Sequence, residues 1–204
     1  GHKVYIISGG LAEPVEEFGV YLGIPRERIR AVGITYNELS GRWWEKTSGD
    51  SRRYLAHEAG ALTVSDGKAQ IVNELLGEQR GRSLLIGDGI SDLLAARAVD
   101  LFVGYGGVIA RSKVQAGAPI FIHSRSLAPL LPLAGGQSAL RLLRTWPMQY
   151  QTLGTKANYL IHTGAITFND EHLKSRFRAA FLDPEQPERE TLYPWSDGGA
   201  SGNP

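Results

Sequence analysis

The sequence contains no cysteine and has almost no excess of charge of either sign. Without cysteine the chain forms no disulfide bonds and no thiolate metal sites. Lysine and arginine number 22 against 21 aspartates and glutamates, so we expect neither a nucleic-acid partner nor a membrane partner. Apolar runs such as 118–122 and 127–134 are too short to cross a bilayer, and no secretory signal is visible. These absences favour a cytoplasmic protein.

The composition is typical of a globular chain. Hydrophobic residues make up 42% and charged residues 21% of the sequence. Its 204 residues suffice for one ordinary domain with a sizeable core, or for one domain plus an appendage. The first residue is Gly1 rather than methionine, and the chain is already inside an apolar strand by Val4. We therefore expect further residues upstream.

Short apolar segments alternate with amphipathic helices along the first part of the chain. The expected buried strands are 4–7, 83–86, 101–103 and 118–122. The expected helices begin near Glu13, with Val15, Phe18 and Leu22 on the buried face, near Lys68, with Ile71, Val72, Leu75 and Leu76, and at Ser91. A β-hairpin is predicted over 32–44, and 46–66 is expected to be mostly irregular. This alternation predicts an α/β fold with a parallel sheet, and it predicts that the loops after Ile7 and Ile86 share one edge.

The character of the sequence changes after about residue 136. We predict a core over 1–144 and an extension of unknown role over 145–204, in which no repeated strand–helix pattern is visible. The end, 183–204, is rich in proline, glycine, serine and acidic residues and is expected to be disordered.

The tripeptide Ser8-Gly9-Gly10 directly follows the first predicted strand. Its glycines allow a tight turn with converging N–H groups, and the next helix adds a partial positive charge at its N-terminus. With the Ser8 hydroxyl as a further donor, the tripeptide suits a phosphate or a carboxylate. An ordinary strand-to-helix turn explains the same residues, and it is the simpler interpretation of the tripeptide alone.

The hexapeptide from Gly87 to Asp92 follows a second buried strand and carries two carboxylates, Asp88 and Asp92. Mg²⁺ prefers one or two carboxylates together with waters and a substrate phosphate, and the glycines beside Asp88 let the backbone approach a ligand. The alternative is that Asp92 only caps its helix. For the hexapeptide as a whole, a Mg²⁺ site is the favoured interpretation.

Lys68 lies in the first turn of a predicted helix, where the helix dipole disfavours a cation unless an anion is near. Asp66 supplies one such anion, and then Lys68 is a surface residue. A bound phosphate is the other candidate.

The order of these motifs resembles the haloacid dehalogenase (HAD) superfamily, whose second, third and fourth motifs they match. Within it, the run from Ile86 to Asp92, followed by 100–107, is similar to the phosphoserine phosphatases. The resemblance covers about residues 1–131. It implies a Rossmann-like, three-layer fold with helices on both faces of a parallel sheet, incomplete at the N-terminus, plus a small β-hairpin.

The resemblance also implies a role for each matched residue. Ser8, Gly9 and Gly10 would bind phosphate, and Lys68 would be a catalytic residue that balances the charge on the phosphate and the nucleophile.

On the metal side, Asp88 would be a catalytic ligand of Mg²⁺, and Asp92 would hold the metal shell. Ser91 stands where relatives often have Asn or Thr, and it would contact the phosphate.

One element of the resembled pattern is absent, because the sequence contains no Asp-x-Asp. In the family an aspartate of that motif attacks phosphorus, so we expect the nucleophile and the substrate-recognising cap upstream of Gly1. The resemblance implies hydrolysis of a small phosphorylated metabolite, O-phospho-L-serine, in serine biosynthesis. The alternatives are a HAD phosphatase for another small ester and a non-catalytic module that binds phosphate or protein.

Overall fold

The computed structural model describes residues 2–36, 55–78, 81–143 and 145–181 of the chain. The chain divides into two compact units, residues 1–80 and 81–204. The fold is mixed α/β with parallel strands flanked by helices, as predicted. None of the helices in the described ranges combines the length and the apolar character that a membrane span requires.

The first unit is built on a short pair of parallel strands. Its elements are β1 (Ile6–Leu11), α1 (Ala12–Tyr21), β2 (Ile29–Val32), β3 (Ile34–Tyr36), β4 (Leu55–His57) and α2 (Gly67–Leu76), with 3₁₀ turns at Arg26–Arg28 and Ala61–Thr63. β1 pairs in parallel with β2, and β3 pairs antiparallel with β4. α1 packs on both strands of the parallel pair, and α2 packs on β1 and the second 3₁₀ turn.

In the first unit, one predicted strand end is wrong and one short strand was not predicted. β1 does not end at Ile7 but continues through the glycines to Leu11, because its backbone pairs again with β2 at that point. The segment 46–66, expected to be mostly irregular, contains the three-residue strand β4, which pairs with β3. A three-residue strand is too short for alternation to reveal it. The predicted second strand of the hairpin, at 42–44, lies outside the described residues.

The apolar face of α1 also differs from the prediction. Val15 is half-buried, but Phe18 is 61% exposed and Leu22 is 55% exposed. The buried residue of the helix is Gly19, whose lack of a side chain lets the helix lie close to the parallel strands. α2 follows its predicted pattern more closely: it buries Ala69 and Val72 and half-buries Ile71, Leu75 and Leu76.

The second unit contains a four-stranded sheet. Its elements are β5 (Leu84–Gly87), α3 (Ile90–Ala95), β6 (Leu101–Tyr105), α4 (Ser112–Gly117), β7 (Ile120–Ile122), α5 (Leu130–Leu143), α6 (Met148–His162), β8 (Ile166–Phe168) and α7 (Glu171–Phe181). The strand order is β5-β6-β7-β8, in which the first three strands are parallel and β8 is antiparallel to β7. α5 is kinked at Gly136, where φ is 65°.

Helices cover both faces of this sheet. Successive residues of a strand point to opposite sides, and both sides carry apolar residues that need to be covered. Leu101, Val103, Ile120 and Ile122 form one buried cluster with residues of α5, α6 and α7. Phe102 and Phe121 point to the other face, where they pack with Val114 and Ala118. The second unit therefore has the three layers that the sequence predicts.

The segment after residue 145 contributes to this sheet and its core. Ile161 of α6, Ile166 of β8 and Phe177 of α7 all belong to the first cluster. Asn169, which follows β8, donates hydrogen bonds from Nδ2 to the carbonyl oxygens of Gln115 (2.6 Å) and Ala118 (2.8 Å) at the end of α4. The division of the chain at residue 144 stays a prediction, and the end predicted to be disordered, 183–204, lies outside the described residues.

Candidate functional site

The Gly87–Asp92 hexapeptide links β5 to α3, so Asp88 lies at the carboxyl end of a parallel strand. Asp92, in the first turn of α3, is only 8% exposed. Its Oδ2 accepts a hydrogen bond of 2.9 Å from the N–H of Gly89, the residue that precedes the helix. This contact satisfies a donor at the helix start, so the capping role considered for Asp92 is present in the structure.

Gly87 is a glycine because Asp92 lies directly over it. A Cβ at position 87 would overlap the Cβ and carboxyl group of Asp92. The last residue of β5 therefore has no room for a side chain, and the buried carboxylate occupies that space. The sequence motif thus encodes a specific packing of Asp92 against the strand end.

Asp88 carries the accessible carboxylate of the hexapeptide, with 46% of its side chain exposed. Arg111, in the loop between β6 and α4, forms an ion pair with its Oδ2. The same Nη1 atom of Arg111 donates a hydrogen bond of 2.9 Å to the carbonyl oxygen of Asp88. The loops that follow β5 and β6 thus meet through Arg111.

The sequence motifs did not identify Arg111. A single arginine in a loop belongs to no periodic pattern and to no motif with a fixed spacing. The available signal is topological: it lies in the loop after β6, the strand that pairs in parallel with β5. The carboxyl ends of neighbouring parallel strands share one edge of a sheet, so a charged residue in this loop can reach Asp88.

Ser91 is the second residue of α3 and is half-buried in the same helical turn as Asp92. The structure thus brings Asp88, Ser91 and Asp92 together at one strand end. Their roles toward phosphate and metal stay predictions.

These residues fit a Mg²⁺ ion that also uses other ligands. Mg²⁺ commonly keeps several waters and binds one or two protein carboxylates with a substrate phosphate. Asp88 offers an exposed carboxylate, whereas Asp92 is buried and already bonded to the Gly89 N–H. Among the described residues no group of three or more histidines, cysteines, aspartates or glutamates forms a complete metal cage. The donor set therefore suits Asp88 as a ligand and Asp92 as its support.

In the first unit, Ser8, Gly9 and Gly10 form a bulge in β1. The register runs from Ile7 opposite Arg30 to Leu11 opposite Val32, so the three residues of the tripeptide stand opposite a single residue of β2. Ser8 is half-buried and the glycines are exposed. The Gly10 N–H donates a hydrogen bond of 3.0 Å to Ser8 Oγ. The predicted phosphate role of the tripeptide stays a prediction.

Lys68 lies in the first turn of α2 and is half-buried. Asp66 stands at the start of the helix, and its side chain makes no capping hydrogen bond. Because α2 packs on β1, the first unit holds both Lys68 and the Ser8–Gly10 bulge.

The predicted residues are thus placed in two groups, one in each unit. The first comprises Ser8, Gly9, Gly10 and Lys68, and the second comprises Asp88, Ser91 and Asp92. β1 pairs with β2 and β5 pairs with β6, in different sheets. The shared edge expected for the loops after Ile7 and Ile86 stays a prediction.

No family model matches the chain. Curated relatives are nevertheless found. The chain is 34% identical over 122 residues to the chloroplastic phosphoserine phosphatase of Arabidopsis thaliana, which covers 56% of this chain and 36% of that protein. It is 30% identical to the phosphoserine phosphatases of Drosophila melanogaster, over 60% of this chain and 42% of that protein, and of Homo sapiens, over 59% and 49%.

The crystal structure of a phosphoserine phosphohydrolase-like protein from Francisella tularensis is 28% identical and covers 61% of this chain and 53% of that chain, with a TM-score of 0.45. The chain spans less than half the length of the curated relatives above. The resemblance inferred from the motifs is confirmed by the curated relatives, because the chain is similar to phosphoserine phosphatases over 56–60% of its length.

Proposed function

We propose that this chain is part of a Mg²⁺-dependent phosphatase that hydrolyses O-phospho-L-serine to L-serine and phosphate. The observation that carries the proposal is the accessible carboxylate of Asp88 at the end of β5, supported by the buried Asp92. The names of the relatives at about 30% identity support a phosphatase and suggest phosphoserine as the substrate. A cytoplasmic location stays a prediction, and one relative is named as chloroplastic.

The proposed reaction needs a nucleophilic aspartate from an Asp-x-Asp motif, and this sequence contains no such motif. An aspartate carboxylate outside this chain would attack phosphorus, the bond from phosphorus to the serine oxygen would break, and that oxygen would take a proton. Water would then attack the phosphorus of the aspartyl-phosphate, releasing phosphate and restoring the carboxylate. Ser8 and the Gly9 N–H would hold phosphate oxygens, and Lys68 would balance their charge.

Asp88 and Asp92 would hold the Mg²⁺ that this chemistry uses. When bound, Mg²⁺ neutralises charge that develops on the phosphoryl oxygens. Asp88 contributes an accessible carboxylate at the strand end. Asp92, fixed by Gly89 and by the space above Gly87, supports that strand end.

The substrate is tested with a longer form of the protein that includes an upstream Asp-x-Asp segment. Phosphate release is measured from L-phosphoserine, phosphothreonine, glycerol phosphate and p-nitrophenyl phosphate at saturating Mg²⁺. We expect kcat/KM to be at least about tenfold higher for L-phosphoserine than for the other esters. Equal values would support the alternative of a phosphatase for another small ester.

A matched pair of variants separates enzyme from contamination. Asp88→Asn removes the proposed ligand, and we expect it to abolish most turnover. Glu78→Gln removes a carboxylate from an exposed position after α2 and should leave turnover unchanged. If the longer protein binds phosphate but releases none from any ester, the non-catalytic module is the better account.

A further inference from the structure

The loop between β6 and α4 is fixed at its base by contacts within the second unit. The Gly106 N–H donates a hydrogen bond of 2.8 Å to the carbonyl oxygen of Ile122, which extends the β6–β7 pairing. Gly107 is buried, and a Cβ there would overlap the Tyr105 hydroxyl and the Ser124 carbonyl oxygen. The loop therefore leaves its strand in a defined direction and brings Arg111, just before α4, to Asp88.

Arg111 contacts Asp88 in two chemically different ways. Its Nη1 carries two hydrogens: one bonds the Asp88 carbonyl oxygen at 2.9 Å, and the other serves the Asp88 carboxylate. The carbonyl contact holds the Asp88 backbone, whichever partner the Asp88 carboxylate has. The carboxylate contact, by contrast, occupies an oxygen that a metal ion would use.

We propose that Arg111 is a placeholder cation: it pairs with the Asp88 carboxylate, and Mg²⁺ competes with it for that carboxylate and displaces it. The inference rests on the proposed Mg²⁺ site and adds a positioning residue to it. The Arg111 guanidinium and Mg²⁺ are both cations, so they compete for the same carboxylate. Arg111 is 43% exposed and Asp88 is 46% exposed, and ion pairs between exposed groups are weak enough for a divalent ion to replace.

The retained bond to the Asp88 carbonyl explains why the loop need not rearrange on metal binding. When Arg111 loses its contact with the Asp88 carboxylate, its Nη1 still donates to the Asp88 carbonyl oxygen. The strand end therefore keeps its position while the Asp88 carboxylate changes partner. Arg111 thus combines a permanent anchor with an exchangeable one. Substitutions of Arg111 can separate its contact with the carbonyl oxygen from its contact with the carboxylate.

The experiment measures Mg²⁺ binding to the 204-residue chain by calorimetric titration at fixed ionic strength. Arg111→Gln keeps an N–H donor for the carbonyl but removes the charge, and we expect it to bind Mg²⁺ about two- to fivefold more tightly than the unaltered chain. Arg111→Lys keeps a cation and should bind Mg²⁺ within about a factor of two of the unaltered chain. Arg178→Gln, which removes the same charge from an exposed position of α7, is the matched control and should not change the affinity.

A second readout follows the arginine itself. Addition of Mg²⁺ should shift one arginine side-chain N–H signal in the NMR spectrum, with the same midpoint as the calorimetric titration, and this signal should be absent in Arg111→Gln. A merely structural role for Arg111 would leave the signal unmoved by Mg²⁺.

Several results would overturn the inference. They are Mg²⁺ affinity unchanged or weakened in Arg111→Gln, full affinity retained in Asp88→Asn, and no Mg²⁺ binding by the unaltered chain. Failure of the proposed function is distinguishable, because binding is measured without turnover. Tighter binding in Arg111→Gln, together with no phosphate release by the longer protein, would support the placeholder role and reject the phosphatase.

Discussion

Replacement of Gly87 by alanine tests whether Asp92 is packed against the end of β5 as described. The new Cβ would overlap the Cβ, Cγ and Oδ2 atoms of Asp92. Asp92 is only 8% exposed and is tied to the Gly89 N–H at 2.9 Å, so it cannot swing into solvent without losing that bond. The strain must therefore move either the strand end or the first turn of α3.

The cost can be estimated from the same contact. Extra methyl groups in a well-packed site typically cost about 1–3 kcal/mol, and loss of one hydrogen bond adds about 1 kcal/mol if Asp92 is expelled. We therefore expect Gly87→Ala to lower the free energy of unfolding by about 1–4 kcal/mol. Because Asp92 Cβ is among the overlapping atoms, Asp92→Ala relieves only part of the strain, whereas Asp92→Gly removes it.

Urea denaturation of the single and double variants measures these energies. In the cycle of Gly87→Ala with Asp92→Gly, the double variant should be more stable than the sum of the two single effects predicts, by about 1–3 kcal/mol. Gly60→Ala is the control, since its backbone is extended and a Cβ there meets no atom within 4 Å. Additive energies, or a harmless Gly87→Ala, would show that Asp92 does not lie over Gly87.

Two further predictions concern the segment after residue 145. Asn169→Ala removes the donor of the hydrogen bonds to Gln115 and Ala118, and it should lower the free energy of unfolding by about 1–2 kcal/mol in a urea titration; an unchanged midpoint would show that these contacts add nothing. Phe177→Ala empties a site that is 1% exposed and lies against the rings of Phe168 and Phe181, and it should cost about 3–5 kcal/mol, whereas a cost below about 1 kcal/mol would contradict the packing.

The sequence predicts the second unit well where its strands are buried on both faces. Such strands appear as continuous apolar runs, and the runs predicted at 83–86, 101–103 and 118–122 overlap the strands at 84–87, 101–105 and 120–122, of which the first is half-buried. The hexapeptide after the first of them places Asp88 and Asp92 at the strand end without reference to tertiary contacts. Local pattern and burial agree there, so local inference is sufficient.

The segment after residue 145 was harder to predict because its local signal is weak. α6 buries only Ala157 and Ile161, so its apolar face is short, and β8 has three residues. Both elements depend on long-range contacts with β7 and its core cluster. Such contacts leave little trace in a sequence window, which is why only isolated apolar pieces are visible there.

Packing partners explain the remaining differences. Phe18 and Leu22 have helical spacing, yet α1 packs through Gly19, a residue that an apolar pattern does not select. A periodic pattern does not identify Arg111 either, because its contact with Asp88 depends on the parallel pairing of β5 with β6. The position of a motif at a strand end can thus be found from the sequence, whereas the residues that pack against it require the fold.

The most direct test of the proposed function is the Mg²⁺ dependence of phosphate release from L-phosphoserine by the longer protein and by its Asp88→Asn variant. We predict turnover that rises with Mg²⁺ to saturation, and a loss of about a hundredfold or more in kcat/KM in the variant. Turnover that is independent of Mg²⁺, or an Asp88→Asn variant as active as the unaltered protein, would contradict the assignment of the strand-end carboxylate as the metal ligand.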